Sequence, residues 1–238
     1  MKPNIEMRVE TAAMDALMVR LFDAIDEANM AWVIAADQKL RSALGPALID
    51  LVPSYTTLLV HYDCQQLNHA EALTLINQAL SGLKPVDTQA GELHDIPVWY
   101  DESVGPELPL VAKRAGLSVD ELIRQHCNHD YCVFALGFAP GYGFMGLVDE
   151  SLATPRLKTP RRKVAAGSVG IADRQTAIYP LLSPGGWNIL GRTNVPLFEH
   201  AKRGEPLFRP GDKVRFRAIS RAEFAADGGD TTPMEERP

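Results

Sequence analysis

Apolar residues fall along the chain in short blocks whose spacing predicts most of its elements. Tyr55-Thr56-Thr57-Leu58-Leu59-Val60-His61-Tyr62 is β-branched and aromatic and predicts a strand. Pro53-Ser54 marks the turn from a shorter strand, Ala47 to Val52. His69 to Leu80 carries apolar residues at helical spacing and stops at Ser81-Gly82, and Ala24 to Leu44 reads as a second helix. The run Ala16-Leu17-Met18-Val19-Arg20-Leu21-Phe22 fits either a helix or a buried strand. As a strand it would complete a β-α-β-β-α order, a small α+β sandwich with helices on one sheet face.

The pattern then changes. Only Gly45 and Gly82 occur in the first 84 residues, whereas Gly and Pro are frequent afterwards. Lys84-Pro85-Val86-Asp87-Thr88-Gln89-Ala90-Gly91 therefore reads as a linker between domains. Ile96 to Tyr100 predicts a strand, and two short helices follow. One runs from Glu107 to Ala115 and is closed by Gly116; the other is capped by Ser118 with Glu121 three residues on. Cys132–Phe138, Val164–Ile171, Thr176–Leu181, Trp187–Thr193 and Lys213–Ile219 are short apolar stretches separated by turn residues. That arrangement favours a barrel or sandwich over a parallel sheet. Arg221 to Pro238 is polar and is expected to be largely disordered.

Composition narrows the class. In 238 residues, 46% are hydrophobic and 23% charged, enough for a packed core. Lys+Arg 24 against Asp+Glu 30 gives a formal net charge of −6, which argues against a chain-wide nucleic-acid role. No apolar run approaches the roughly 20 residues of a membrane helix. The first residues, Met1-Lys2-Pro3-Asn4-Ile5-Glu6, lack the apolar stretch of a secretory signal. Three cysteines make no disulfide framework. A cytoplasmic protein is expected.

Gly141-Tyr142-Gly143-Phe144-Met145-Gly146 has G-x-G-x-x-G spacing, but the short, Pro-bounded stretch after it leaves no room for the helix a dinucleotide site needs. It reads better as a Gly-rich loop carrying Tyr142 and Phe144 outward. No Gly-Lys pair occurs, so there is no P-loop, and G-x-S-x-G is absent. His126, Cys127, His129 and Cys132 do not follow a closed zinc pattern, and no metal is expected in this chain. Arg156-Leu157-Lys158-Thr159-Pro160-Arg161-Arg162-Lys163 places five cations in eight residues, with nothing acidic between Ser151 and Ala172. Such a segment can hold a carboxylate, a phosphate or an acidic partner surface. Ser183-Pro184-Gly185-Gly186-Trp187 reads as a tight turn with close backbone approach, and Arg192 emerges soon after it.

Taken in order, these stretches resemble one family. They are Gly137-Phe138-Ala139-Pro140-Gly141-Tyr142, Thr159-Pro160-Arg161, Val164 to Ala172, Gln175 to Pro180, Ser183 to Trp187, Gly191-Arg192-Thr193, and Pro210 to Phe216. Val52-Pro53-Ser54-Tyr55 with Leu58-Leu59-Val60 fits the same pattern. The chain resembles the allophanate hydrolase subunit 1 family, also called the 5-oxoprolinase B-subunit or KipI family, whose domain is the carboxyltransferase C and D unit of urea carboxylases. Two departures stand out: Asp173-Arg174 precede Gln175 where a Gly-Gly pair is common, and Ala177 replaces a Gly.

The resemblance implies an α+β protein with a ferredoxin-like N-terminal domain over residues 14–84 and a linker over 85–92. A cyclophilin-like β-barrel over 93–220 and a disordered tail over 221–238 would complete it. It also implies a strand at Ala16–Phe22. The implied function is that of one component of a bacterial ATP-dependent 5-oxoprolinase, opening 5-oxo-L-proline to L-glutamate. The chain would act with a sister protein (the 5-oxoprolinase C subunit, or allophanate hydrolase subunit 2) and with the A subunit of the same enzyme. ATP would be a co-substrate of the complex, and the chain alone would be inactive. One alternative within the family is a urea carboxylase-type component that works on urea-like amides. Another is an inhibitor that docks on a sensor histidine kinase through Tyr142, Phe144 and the basic segment. Lactam opening and carboxyl transfer to urea both develop negative charge at an amide oxygen, which calls for fixed cations and backbone amides. Arg161, Arg162, Arg192 and Gln175 are therefore expected at the catalytic centre. Pro140, Gly141, Tyr142, Tyr179, Ser183, Gly185 and Gly186 are expected around a small amide substrate.

Overall fold

A computed structural model describes residues 7–86, 91–199 and 204–234. Its contacts divide the chain into two compact units, Met1–Gly91 and Glu92–Pro238. The middle of the expected linker, residues 87–90, lies outside the described residues.

The first unit is an antiparallel sheet with two helices. Its elements are β1 (Arg8–Ala13), β2 (Ala16–Arg20), α1 (Met30–Leu44), β3 (Leu48–Ser54), β4 (Thr57–Tyr62) and α2 (His69–Leu80). The strand order is β1-β2-β4-β3. Ala16–Arg20 is therefore a strand, and the β-α-β-β-α order is present with β1 added before it. Leu17 and Val19 pair with Val60 and Leu58, so their side chains share one face with alternate residues of β4. Leu17, Val19, Leu58, Val60 and Tyr62 are buried there, with Val33, Ala36 and Leu40 of α1 and Ala72, Ile76 and Leu80 of α2. Asn68 and Glu71 cap α2 reciprocally, which fixes where it begins. α1 starts at Met30, six residues later than the expected helix, because Asp26 caps a 3₁₀ turn at Glu27–Asn29 instead.

The second unit is a closed, mixed seven-stranded barrel with helices. It contains β5 (Leu93–Trp99), α3 (Leu108–Ala115), α4 (Val119–Cys127), β6 (Asp130–Leu136), β7 (Gly143–Gly146), β8 (Arg161–Val164), β9 (Ser168–Ala172), β10 (Gln175–Ile178), β11 (Ser183–Gly185), β12 (Asn188–Arg192), β13 (Phe198–Glu199), β14 (Glu205–Pro206), β15 (Lys213–Ile219) and α5 (Arg221–Ala226). The barrel order is β6-β15-β5-β12-β9-β10-β7, and a β6–β7 pairing closes it. β15 and β5 run parallel; the other barrel pairs are antiparallel. Ile96, Val133, Met145, Val169, Ile171, Ile178, Leu190, Val214 and Phe216 fill the core, joined by Leu108 and Val111 of α3 and Leu122 of α4. Closure removes the exposed strand edges that an open sheet of this kind would carry. Among the described residues no helix is long and apolar enough to cross a membrane.

A polar chain runs through this core. Thr176 Oγ1 donates to the Gly170 carbonyl at 3.1 Å, so its oxygen accepts from His126 Nε2–H, also at 3.1 Å. That leaves His126 Nδ1 as an acceptor for the Tyr100 hydroxyl at 2.8 Å. Burial pushes the imidazole pKa down to about 3 from its usual value, with a smaller push from His129. A neutral native His126 means that the unfolded chain binds the extra proton below about pH 6.5, so stability is lost as pH falls. The loss at pH 5 should be about 2 kcal/mol. Urea unfolding of wild type and His126→Gln at pH 7 and pH 5 checks this: the variant's pH dependence should shrink by that amount.

The tail corrects an expectation. Arg221 onward is not irregular: Ser220 and Glu223 form a capping box for α5, and Phe224 is buried against Trp99 with ring centroids 5.4 Å apart. Beyond it the chain continues as a strap as far as Met234, whose backbone N–H donates to the Ser103 carbonyl at 2.7 Å.

Candidate functional site

The Gly-rich turn after β6 builds one wall of a cleft. Gly137 N–H donates to the Tyr142 carbonyl and Tyr142 N–H to that of Ala139, while Phe138 and Gly141 have φ of 70° and 82°. A Cβ on Gly141 would lie 2.7 Å from the Leu197 carbonyl, so glycine is required there by the backbone it packs on. The turn drives Tyr142 inward, not outward: it is 2% exposed. Its ring meets Tyr179 at 5.4 Å and 90°, and Trp187 at 6.1 Å and 85°. Phe144 lies 4.8 Å away on the same cluster. Edge-to-face packing of this kind fixes ring orientations as well as burying area.

Tyr179 follows β10 directly, and Gly185-Gly186-Trp187 leads from β11 into β12. With Phe138, Tyr142, Phe144, Arg156 and Pro184 they line a cleft of about 160 Å³. That is room for a compact small molecule and less than a drug-sized ligand fills. Burial raises the Tyr179 pKa, opposed by the Trp187 backbone N–H and by Arg156, so the phenol is protonated at neutral pH. The Arg156 guanidinium sits over the Trp187 ring, 5.9 Å from its centroid. The cleft therefore offers aromatic faces, the phenols of Tyr142 and Tyr179, and one cation.

The expected site residues divide. Tyr142, Tyr179, Gly185 and Gly186 come together in the cleft. Pro140 lies on the turn between Gly137 and Tyr142, Gly141 packs against Leu197, and Ser183 pairs with Val164 in the β8–β11 ribbon. The expected cationic centre does not form. Arg161 is buried and bonded to Glu107 Oε1 at 2.5 Å, while Glu107 Oε2 accepts from Ile189 N–H at 3.1 Å. Arg162, next along β8, is exposed to solvent. Arg192 is buried beneath the tail strap, donating to the carbonyls of Asp230 and Thr232 at 2.7 and 2.8 Å. Gln175 begins β10, opposite Gly146 and Ala172, about 13 Å of strand away from Tyr179. None of these four lines the cleft. Two of the three arginines are occupied inside their own unit, and the third faces water.

Spacing along the chain does not single out Arg156 or Glu107. Arg156 is one cation among five in its segment; only its seat on Trp187 separates it. Among the described residues no group of three or more His, Cys, Asp or Glu could hold a metal.

Residues 7–208 match the family described as carboxyltransferase domain, subdomain C and D. The chain belongs to that family. A relative from Bacillus subtilis (strain 168), named as the B subunit of 5-oxoprolinase, is 34% identical over 94% of this chain and 97% of its own length. The crystal structure of TTHA0988 superimposes with TM-score 0.76 at 36% identity, covering 94% of this chain. This carboxyltransferase C and D chain spans 42% of that longer protein. The urea amidolyase of K. lactis shares the fold, with TM-score 0.77 at 17% identity over 92% of this chain and 15% of its own.

Proposed function

We propose that this chain is the B component of an ATP-dependent, multi-protein 5-oxoprolinase that opens 5-oxo-L-proline to L-glutamate. The observation that carries this reading is end-to-end similarity to the Bacillus subtilis 5-oxoprolinase B subunit, 34% identical over 233 residues. On this reading the barrel is cyclophilin-like and the N-terminal unit ferredoxin-like, the latter supported by its β-α-β-β-α order. The chain works in the cytoplasm with the C and A subunits of the enzyme.

The cleft is where this chain would take the lactam. Aromatic faces bury the flat ring and exclude water, and the protonated Tyr179 hydroxyl can donate to a lactam carbonyl as negative charge grows on it. The cleft does not suit ATP: among the described residues it holds one cation, and no helix N-terminus opens on it. The nucleotide site is therefore assigned to another member of the complex.

Co-purifying the chain with the products of its neighbouring genes and measuring 5-oxoproline-dependent ATP hydrolysis with glutamate release tests the proposal. The assembled complex should be active and the isolated chain inactive. A complex that assembles but opens no lactam would overturn the reading.

A further inference from the structure

Among the described residues Arg156 is the one cation in the cleft wall, and no Asp or Glu lines that wall. It makes no ion pair with any described residue, and no acidic residue occurs in sequence between Ser151 and Ala172. Its neighbours are spoken for differently: Arg161 is buried on Glu107, and Arg162 faces solvent on β8. Arg156 is exposed, and its guanidinium lies over the Trp187 ring, 5.9 Å from the centroid. A cation within about 6 Å of an aromatic face is attracted by the ring, while an exposed guanidinium keeps its N–H donors for a further partner. Those donors have the spacing of a carboxylate. Walls of Phe138, Tyr142, Phe144 and Trp187 beside it call for a flat, compact body attached to that anion.

We propose that Arg156 is the specificity-determining residue of the cleft, an anchor that selects a small ring amide bearing a carboxylate over neutral amides of urea or simple lactam type. The assignment rests on the cleft being the lactam site of the proposed oxoprolinase. Seating on Trp187 limits the rotamers Arg156 must give up on binding, so the anchor is pre-organised. A neutral urea-type amide would leave the guanidinium solvated and gain nothing from it.

The test uses 5-oxoproline and 2-pyrrolidinone, the same ring without the carboxylate. Each is titrated into the ¹⁵N-labelled chain while the Trp187 indole N–H signal is followed, assigned by Trp187→Phe. The wild type should bind 5-oxoproline at least about tenfold more tightly, as a charge-assisted pair predicts. Arg156→Gln should bind the two rings equally, and Arg156→Lys should restore part of the preference. In the assembled complex Arg156→Gln should raise KM for 5-oxoproline by about tenfold or more with kcat nearly unchanged, the pattern of lost ground-state binding. Equal preference in wild type and Arg156→Gln, or a Trp187 signal indifferent to both rings, overturns the anchor even if the complex is active. An inactive wild-type complex overturns the function proposed above, while the ring titration still decides the anchor.

Discussion

Replacing Glu107 with alanine should lower the unfolding free energy by about 3–5 kcal/mol, the cost of leaving a buried charge without its partner. The Glu107 and Arg161 side chains are 3% and 5% exposed, and their 2.5 Å contact spans 54 positions of sequence. Two guanidinium nitrogens of Arg161, Nε and Nη1, already lack hydrogen-bond partners, so losing Glu107 would strip away its counter-charge. Glu107 also accepts from Ile189 N–H, and the substitution leaves that buried donor unpaired as well. A loss of this size is a large share of the total stability of an ordinary domain. Urea unfolding measures it, and Glu107→Leu with Arg161→Met supplies the control. Removing both charges together should recover most of the loss, because neither is then stranded. Equal destabilisation by the single and double changes would show that packing, not charge, is what the pair contributes.

The same pair explains why sequence spacing misplaces the arginines. Arg161 pairs with a glutamate 54 positions away, and Arg192 donates through Nη1 to backbone carbonyls of a tail whose composition suggests no structure. Neither partner follows a local pattern, so spacing along the chain cannot separate a structural arginine from a free one. Strands with β-branched or alternating apolar residues are readable, as are the capping box at Ser118 and Glu121 and the helix ending at Gly116. β1 is not, because five of its six residues are exposed and leave no buried alternation to detect. The tail's order depends on one buried aromatic, Phe224, and on a Ser220–Glu223 cap within an otherwise polar run. In the cleft, aromatic and glycine positions are legible because packing constrains them; the cation is not, because Arg156 differs from its neighbours only in what lies beneath it.

Gly185 and Gly186 are adjacent, yet alanine at the two positions should have opposite consequences. A Cβ on Gly185 would stand 2.2 Å from the Tyr179 hydroxyl and 2.8 Å from two of its ring carbons. Tyr179 would have to leave its place against Tyr142 and the Trp187 backbone, and overpacking of that kind costs about 1–3 kcal/mol. A Cβ on Gly186 would meet nothing closer than 3.7 Å, an ordinary contact with Leu157 and Pro160. Gly185→Ala should therefore weaken 5-oxoproline binding by at least about tenfold, since a displaced phenol fills the cleft and loses its alignment, while Gly186→Ala should stay within about threefold. Adding Tyr179→Phe to Gly185→Ala removes the nearest clashing atom and should recover part of the lost stability. Titration of both single variants and thermal unfolding of all three separate the steric argument from any general intolerance of the turn: if Gly186→Ala is as damaging as Gly185→Ala, the glycine pair serves the turn's backbone and Tyr179 is not held by the space Gly185 leaves for it.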